Sequence, residues 1–236
     1  MIDYAAQIAH NSLAVGSIRL RPSAPFQWAS GFYMPIYNDN RMNLYNPTNR
    51  DLVVEAFVDA LDSTDKSWGV MAGTSTAGIP WAAMLAERYG KPLIYVRDKP
   101  KDHGMRNRIE GIDAEKGLED RRVVLIEDLV STGGSSVSAV QGIRDAGGQI
   151  GNCFSIFSYG LDEAQRMFDA KTPYDPKTGA SLTALCMLKP LLTYETLLAV
   201  AREEGYIDAA QAKLLEEWRA NPFEWGEKHG FPPVKK

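Results

Sequence analysis

The stretch from Arg121 to Val140 reads RRVVLIEDLVSTGGSSVSAV, and its order of residue types decides the fold. Val123 to Ile126 form a continuous apolar run, which is typical of a strand buried on both faces of a parallel sheet. Two acids, Glu127 and Asp128, end that run, and a small, hydroxyl-rich turn leads from them into a helical stretch. The pattern predicts a strand–turn–helix unit whose strand ends in two acids.

The turn at 131–135 has the features of an anion site. Gly133 and Gly134 lack a Cβ atom, so the backbone can take unusual dihedral angles and approach a ligand closely. The free N–H groups of the turn and the N-terminus of the following helix attract an anion. Further donors are the hydroxyls of Ser131, Thr132 and Ser135. The turn therefore predicts a phosphate-binding site.

The two acids indicate what the phosphate is attached to. At the carboxyl end of a strand, Glu127 and Asp128 can accept hydrogen bonds from sugar hydroxyls or help to hold a hydrated Mg²⁺. The chain has neither Gly-x-Gly-x-x-Gly nor Gly-x-x-x-x-Gly-Lys-Ser/Thr, so dinucleotide and P-loop sites are disfavoured. A Gly-Gly turn alone would be ordinary in a strand–turn–helix unit, but the acids and hydroxyls together favour a ribose-phosphate site.

Length and composition narrow the possible classes of protein. The 236 residues suit one α/β domain, and a hydrophobic content of 44% is enough for a substantial core. A net charge of −4 argues against a nucleic-acid or membrane-surface binder, whose footprint is basic. The first residues lack the pattern of a secretory signal, and no apolar run approaches about 18 residues, so we expect no membrane partner. Cys153 and Cys186 lie in apolar runs, which predicts buried free thiols and a cytoplasmic protein.

Apolar runs alternate with amphipathic stretches along the chain. This alternation predicts an α/β fold with a doubly wound, mainly parallel five-stranded sheet, in which ligands bind at the carboxyl ends of the strands. The strands are expected at Trp68–Ala72, Pro92–Arg97, Val123–Ile126, Asn152–Ser158 and Ser181–Leu188. We expect one domain over 1–236, made of an N-terminal hood and helix (1–62), the core sheet (63–190), and C-terminal helices with a tail (191–236).

Two further segments have residue types that suit a site. The aromatic segment FQWASGFYMPIY, from Phe26 to Tyr37, suits core packing and the wall of a pocket for a flat ring equally well. A second small-residue loop, GTSTAG at 73–78, follows the first expected strand. Alone it is a weak signal, because α/β proteins commonly place Gly and Thr between a strand and a helix.

The segment from Arg97 to Arg108 breaks all periodicity and is strongly cationic. It contains five Lys and Arg side chains and two Asp side chains, which gives a formal charge of +3 on an acidic protein. Most charged loops are solvated surface loops. A position next to two expected phosphate loops instead favours a cationic lid that closes over a polyanion.

Three strings resemble motifs of one enzyme family. VVLIEDLVSTGGSS resembles the phosphoribosyl-diphosphate-binding signature of type I phosphoribosyltransferases, which is a specific signature. YVRDKPKDHG resembles the flexible catalytic loop of the orotate phosphoribosyltransferases, and FQWASGFYMPIY resembles the segment that lines their orotate pocket. The resemblance covers roughly residues 1–205. It implies transfer of the 5-phosphoribosyl group from phosphoribosyl diphosphate to orotate, which gives orotidine 5′-phosphate and diphosphate in pyrimidine (UMP) biosynthesis.

The resemblance also implies roles for individual positions. The diphosphate would be contacted by a loop that reaches across a homodimer interface, through Arg97, Lys99, Lys101 and His103. The catalytic residues would be Lys101, His103 and Asp128. The phosphoribosyl group would be bound by Glu127, Asp128, Leu129, Val130, Ser131, Thr132, Gly133, Gly134 and Ser135, and orotate by Tyr37, Asn38 and Ser131. Mg²⁺ would be held mainly by the substrate diphosphate, with Glu127 and Asp128 as candidate ligands.

The sequence departs from the family pattern at three places. Asp98 follows the loop Arg where some members have Lys, and Lys99 is one position away. Ala29 stands where some members have a Lys before Ser-Gly. The segment YGLDE at 159–163 lacks the Arg that some members use to hold the orotate carboxylate. The carboxylate anchor is therefore open between backbone amides and Arg41.

Two alternative functions share the signature. A purine phosphoribosyltransferase would have the same ribose-phosphate site, but the Lys-Asp-His-Gly loop and the Ser-Gly…Pro-x-Tyr segment are not expected in it. A non-enzymatic regulator would bind phosphoribosyl diphosphate as a signal and nucleic acid as a target. It would need a basic surface, which the net charge of −4 disfavours.

Overall fold

The structure is a computed structural model that describes residues 2–28, 30–98, 108–113, 115–169 and 186–234. Its N-terminal part contains, in chain order, α1 (Tyr4–Val15), β1 (Ile18–Leu20), β2 (Phe26–Gln27), β3 (Tyr33–Met34), β4 (Ile36–Asn38), α2 (Met42–Tyr45) and α3 (Pro47–Asp62). Strand β1 pairs with β4 and β2 pairs with β3, both antiparallel. We call residues 16–46 the hood, because they form short strands outside the central sheet.

The central sheet has six strands in the part of the chain that the structure describes. Its elements are β5 (Val70–Thr74), α4 (Ile79–Tyr89), β6 (Leu93–Val96), β7 (Ile109–Glu110), β8 (Arg122–Val130), α5 (Gly134–Asp145), β9 (Gln149–Ser158), α6 (Asp162–Asp169) and β10 (Met187–Thr193). The strand order is β10-β9-β8-β5-β6-β7, and all neighbours are parallel except β6 and β7. Because β5 and β8 are parallel neighbours, the loops that follow them meet at one edge of the sheet.

Strand β8 lies in the interior of the sheet because both of its faces are apolar. Val124 and Ile126 belong to one hydrophobic cluster, whereas Val123 and Leu125 belong to a second cluster. All four residues are at most 3% exposed. Burial of a side chain of this size stabilises a fold by about 1.5–3 kcal/mol. The run therefore fixes the position of the acids that follow it.

Helices cover both faces of the sheet, as the doubly wound fold requires. Helix α4 contributes Trp81 and Leu85 to the first cluster, and α5 contributes Val140 and Ile143 to the second. All four side chains are buried. The expected α/β class is therefore confirmed, with five parallel strands and one antiparallel edge strand.

The C-terminal region packs on the hood. It comprises α7 (Tyr194–Glu203), α8 (Ala209–Ala220) and α9 (Pro222–Lys228). Trp218 is fully buried, with its ring centroid 5.3 Å from that of Tyr159 and 6.5 Å from that of Trp28. Farther along, the Phe231 ring stacks on that of Tyr33 with 5.3 Å between centroids. These contacts fix the aromatic segment of the hood against the rest of the molecule.

Two expectations about the strands were wrong in detail. Strand β8 does not end before the acids but continues to Val130, because its pairing with β9 continues from Glu127 opposite Ser155 to Val130 opposite Ser158. The antiparallel strand β7 was not predicted, because two residues are too short to show a period.

The last predicted strand, Ser181–Leu188, overlaps the observed β10 at its end, and residues 181–185 lie outside the described residues. Strand β10 accommodates Pro190 because it lies at the edge of the sheet, where a missing N–H donor is tolerated. Within the described ranges, no helix is long and apolar enough to cross a membrane.

Candidate active site

Three segments that are distant in sequence meet at the carboxyl ends of β5 and β8. The Thr74 hydroxyl at the end of β5 donates to Glu127 Oε1 over 2.6 Å. From the hood, Asn40 Nδ2 donates to the backbone carbonyl oxygen of Asp128, also over 2.6 Å. The Ser136 hydroxyl, in the first turn of α5, donates to Glu127 Oε2 over 3.0 Å. The two acids are therefore the centre of the site.

The side chain of Glu127, which was predicted to bind substrate, is largely buried. The residue is 6% exposed. Besides Thr74, its Oε1 accepts a hydrogen bond from the backbone N–H of Asp128 over 2.9 Å. Burial raises the pKa of Glu127 to about 7, while the Thr74 hydrogen bond favours the charged form. Both carboxylate oxygens are thus engaged by protein groups.

Asp128 is more accessible than Glu127 and lies two residues before the end of β8. It is partly buried, and that burial raises the pKa of its carboxyl. Hydrogen bonding with Glu127 and the positive charge of Arg41 act in the opposite direction. Arg41 itself donates to both carboxylate oxygens of Asp39, over 2.6 and 2.9 Å. Asp128 is therefore placed to meet a ligand.

The turn after β8 presents open backbone at the N-terminus of α5. Gly133 precedes the helix with φ +86°, and a Cβ on it would lie 3.2 Å from Ala164 Cα. Gly134 and Ser135 are exposed, and a Cβ on Gly134 would meet no atom within 4 Å. No side chain of the described residues caps this helix end. Its N–H groups therefore keep their capacity to bind an anion, as the sequence predicts.

The loop after β5 packs directly against the end of β8. A Cβ on Gly78 would lie 2.5 Å from the carbonyl oxygen of Ile126 and 2.5 Å from Thr74 Oγ1. Only glycine fits there, because atoms at that distance overlap. The peptide bond between Ser75 and Thr76 is cis. This loop was a weak signal in the sequence, but its contact with β8 makes it part of the site.

The hood residues that the family resemblance assigned to orotate lie on β4. The Tyr37 ring is 5.7 Å from that of Phe26, and the Arg19 guanidinium lies 5.0 Å from the Tyr37 centroid. The amide nitrogen and oxygen of Asn38 are both buried without a hydrogen-bonding partner among the described residues. Asn40, two residues on, makes the direct contact to Asp128.

The ends of the cationic segment are held together at its base. The Arg97 backbone N–H donates to the Arg108 carbonyl over 2.9 Å, and Arg108 Nε donates back to the Arg97 carbonyl over 3.1 Å. Arg97 Nη1 also lies 3.3 Å from Glu110 Oε1. Ala29 and the predicted diphosphate contacts Lys99, Lys101 and His103 lie outside the described residues.

Sequence reasoning did not identify Asn40, Thr74 or Ser136 as site residues. Thr74 belongs to the GTSTAG loop, whose composition is common at strand ends. Ser136 follows the glycine turn and was placed in the helix only. Asn40 is two residues from Asn38, which the family resemblance assigned to orotate, but was not itself singled out. All three act through contacts between segments, which a local pattern does not contain.

Comparisons with known proteins agree on one family. A sequence model of the phosphoribosyl transferase domain matches residues 43–177. The orotate phosphoribosyltransferase of Cytophaga hutchinsonii is 39% identical over 224 residues, which cover 95% of this chain and 99% of that protein. The orotate phosphoribosyltransferase of Lactiplantibacillus plantarum is 41% identical over 226 residues, with 96% and 99% covered.

A solved structure shows the same fold. The orotate phosphoribosyltransferase of Aeropyrum pernix superposes with a TM-score of 0.65 and is 24% identical. The match covers 85% of this chain and 99% of that chain. The six-stranded arrangement described above is therefore that of a known fold.

The two glycines of the turn should respond differently to alanine. We expect Gly133→Ala to lower the free energy of unfolding by about 1–2 kcal/mol, because a residue with a Cβ is unfavourable in the left-handed region. Gly134→Ala is the matched control, since its Cβ would point into open space. Urea denaturation of both variants measures the difference. Equal stability of the two variants would show that the Gly133 conformation does not matter.

The Asn40 side chain should contribute to the stability of the protein, although it lies 88 residues from Asp128 in the sequence. We expect Asn40→Ala to lower the free energy of unfolding by about 1–3 kcal/mol, because a buried hydrogen-bonding partner is lost at the Asp128 carbonyl. Asn221→Ala removes an amide that donates to the Glu224 carboxylate at the surface and serves as the control. Chemical denaturation measures the free energy of unfolding of both variants. A smaller decrease for Asn40→Ala than for Asn221→Ala would mean that the hydrogen bond from Asn40 to Asp128 does not stabilise the protein.

Proposed function

The chain belongs to the orotate phosphoribosyltransferase family, and we propose that the site at the ends of β5 and β8 transfers the 5-phosphoribosyl group to orotate. The observation that carries the proposal is that the open α5 N-terminus and the end of β5 both contact Glu127, the residue next to Asp128. An anion site next to an acid suits a phosphorylated sugar. The products are orotidine 5′-phosphate and diphosphate, in pyrimidine biosynthesis.

The 5-phosphate binds at the turn after β8. The exposed residues Gly134 and Ser135 leave room above the first turn of α5. Backbone N–H groups of a helix start attract a phosphate through hydrogen bonds and the helix dipole. The remaining residues of the predicted set supply the strand end and hydroxyls of this cradle: Leu129, Val130, Ser131, Thr132 and Gly133.

Asp128 contacts the ribose, and it is the protein oxygen ligand best placed for Mg²⁺. Carboxylate oxygens suit this cation, which typically binds through one or two carboxylates and substrate phosphates. Glu127 is less suitable, because both of its oxygens accept hydrogen bonds from the protein. In this proposal the diphosphate of the substrate holds most of the cation's coordination sphere. The bound ion supplies positive charge to the leaving diphosphate.

Orotate lies between the hood and the exit of β8. Tyr37 supplies a ring for stacking, and the unpartnered Asn38 amide supplies one donor and one acceptor for the polar edge of the base. Ser131 is the contact from the turn. Arg41 is the side-chain candidate for the orotate carboxylate, because its guanidinium is exposed and its charge is felt by Asp128. Its pairing with Asp39 holds the guanidinium in place.

The cationic segment closes over the diphosphate. Its base follows β6 and is held by the Arg97–Arg108 hydrogen bonds. Arg97, Lys99, Lys101 and His103 neutralise the charge that grows on the leaving group. Closure also keeps water away from the oxocarbenium-like sugar carbon. In this proposal the protein is a cytoplasmic homodimer, and each segment serves the site of the neighbouring subunit.

Orotate should be the base that the protein consumes. With phosphoribosyl diphosphate and Mg²⁺, we expect turnover of orotate and at least about a hundredfold slower turnover of uracil, adenine and hypoxanthine, because a site that hydrogen-bonds polar groups rejects analogues that lack them. Removal of Mg²⁺ with EDTA should stop the reaction. Faster turnover of either purine under the same conditions would contradict the assignment and favour a purine phosphoribosyltransferase.

Mixing two inactive variants should restore activity if the segment acts across the dimer. Lys101→Ala removes a cation of the segment, and Asp128→Asn removes the charge at the exit of β8, so each variant alone should be nearly inactive. A heterodimer then has one site with both lesions and one intact site, and should show up to about half the wild-type activity. Each variant is also measured unmixed at the same total concentration. With subunit exchange shown independently, failure of mixing to restore activity would mean that the segment serves its own subunit.

A further inference from the structure

The hairpin formed by β2 and β3 is a small sheet that needs support from outside. Two residue pairs join its strands in the part of the chain that the structure describes, Phe26 with Met34 and Gln27 with Tyr33. The hairpin belongs neither to the central sheet nor to the sheet of β1 and β4. An isolated two-stranded hairpin is at best marginally stable in water. Its position therefore depends on the segment that packs against it, residues 222–234, which we call the C-terminal brace.

The brace contacts the hairpin at β3 and at the turn. The Phe231 ring stacks on the Tyr33 ring, with 5.3 Å between the centroids and 20° between the planes. In α9, a Cβ on Gly226 would lie 3.2 Å from Tyr33 Cβ and 3.4 Å from the Tyr33 carbonyl oxygen. At the turn of the hairpin, a Cβ on Gly31 would lie 3.1 Å from Val234 Cγ1. The hairpin and the brace are therefore in van der Waals contact over most of the length of the hairpin.

The brace is itself held by α8. The His229 imidazole stacks on the Trp225 ring with 4.5 Å between centroids, and its Nε2 lies 3.3 Å from Glu217 Oε2 on α8. Trp225 is 2% exposed, and its ring also stacks on that of Phe231 with 6.1 Å between centroids. The Phe231 backbone N–H donates to the Gly226 carbonyl over 2.9 Å. These contacts hold the Phe231 ring in place against the hairpin.

The hairpin also contacts the strand that contributes to the proposed base pocket. The Phe26 ring of β2 lies 5.7 Å from the ring of Tyr37 on β4. Trp28, which follows β2, donates through Nε1 to the Ile36 carbonyl over 3.0 Å, directly before Tyr37. Tyr37 and Asn38 are the hood residues to which the proposed function assigns orotate. A continuous series of contacts thus leads from the brace through the hairpin to these two residues.

We propose that the C-terminal brace positions the hairpin against the base pocket, with Phe231 and Gly226 as its positioning residues, and thereby sets the affinity for orotate. The inference rests on the proposed function and extends it to residues that do not touch a substrate. A displaced hairpin would move the Tyr37 ring, and a pocket that is not held in its binding geometry binds more weakly because ordering it costs free energy. The turn after β8 belongs to the central sheet and α5, so binding of phosphoribosyl diphosphate should depend little on the brace.

The test removes the ring at the contact between the brace and the hairpin. Phe231→Ala should raise the KM for orotate roughly three- to tenfold, which is the effect of losing the energy of one aromatic pair. The kcat and the KM for phosphoribosyl diphosphate should change less than that. Phe231→Tyr keeps the ring and should retain the wild-type KM for orotate. Phe231→Leu keeps an apolar side chain without the ring, so it should raise this KM as well, and it serves if the alanine variant is poorly folded.

A double variant tests whether the two stacked rings act through each other. Tyr33→Ala removes the partner ring from the hairpin and should raise the KM for orotate as Phe231→Ala does. The variant with both substitutions should be little worse than either single variant, because the effects of two residues in contact are not additive. If the two increases in KM instead multiply, the rings act independently, which would contradict the proposal.

The control removes a ring that packs on another ring elsewhere. Tyr89 on α4 is partly buried, as Phe231 is, and its ring centroid lies 5.1 Å from that of Trp68. Tyr89→Ala should leave the KM for orotate at the wild-type value. Thermal denaturation of every variant shows that the protein compared is folded at the assay temperature. Wild-type turnover of orotate is measured first, so a failure of the proposed function is seen separately from a failure of the brace.

Three further outcomes would overturn the inference. In the first, folded Phe231→Ala and Phe231→Leu have the wild-type KM for orotate, which would mean that the brace does not act on the base pocket. In the second, the KM for phosphoribosyl diphosphate rises as much as that for orotate, or Tyr89→Ala has the same effect, which would indicate a general loss of structure. In the third, Phe231→Tyr raises the KM as much as Phe231→Ala, so the stacked ring is not the cause.

Discussion

The hydrogen bonds of the buried Glu127 carboxylate are the interaction on which the rest of the site depends. A buried carboxyl group in that position is tolerated because hydroxyls from β5 and α5 and one backbone N–H hydrogen-bond it. The hydrogen bonds to the Glu127 carboxyl group hold the hydroxyls of Thr74 and Ser136 next to it. Thr74 ends β5 and Ser136 lies in the first turn of α5, so the Glu127 side chain links these two elements.

A second tether extends this arrangement to the hood. Asn40, which is fully buried, holds the backbone carbonyl of Asp128. Asp128 is thus fixed from two sides, through Glu127 within β8 and through Asn40 from the N-terminal part of the chain. The proposed base pocket and the proposed ribose-phosphate site share this one residue. A reaction between the sugar carbon and the base needs such a fixed relation between the two binding sites.

The fold class and the residue types of the unit formed by β8, the glycine turn and α5 could be predicted from the sequence, because both depend on local patterns. The apolar run before Glu127 is typical of a buried strand, and the glycine turn could be recognised by residue type. The orientation of Glu127 could not be predicted, since the direction of a side chain depends on where β8 ends, and that end is set by its pairing with β9. The roles of Asn40 and Thr74 arise from contacts over 88 and 53 residues of sequence. Strand β7 is too short to leave a periodic signal.

A crystal structure with phosphoribosyl diphosphate and Mg²⁺ bound would test the position of the proposed site most directly. We expect the 5-phosphate within about 3.2 Å of backbone N–H groups at the start of α5, and the Asp128 carboxylate at a similar distance from a ribose hydroxyl. A 5-phosphate with no backbone N–H of the turn after β8 within about 3.5 Å would contradict the proposed site.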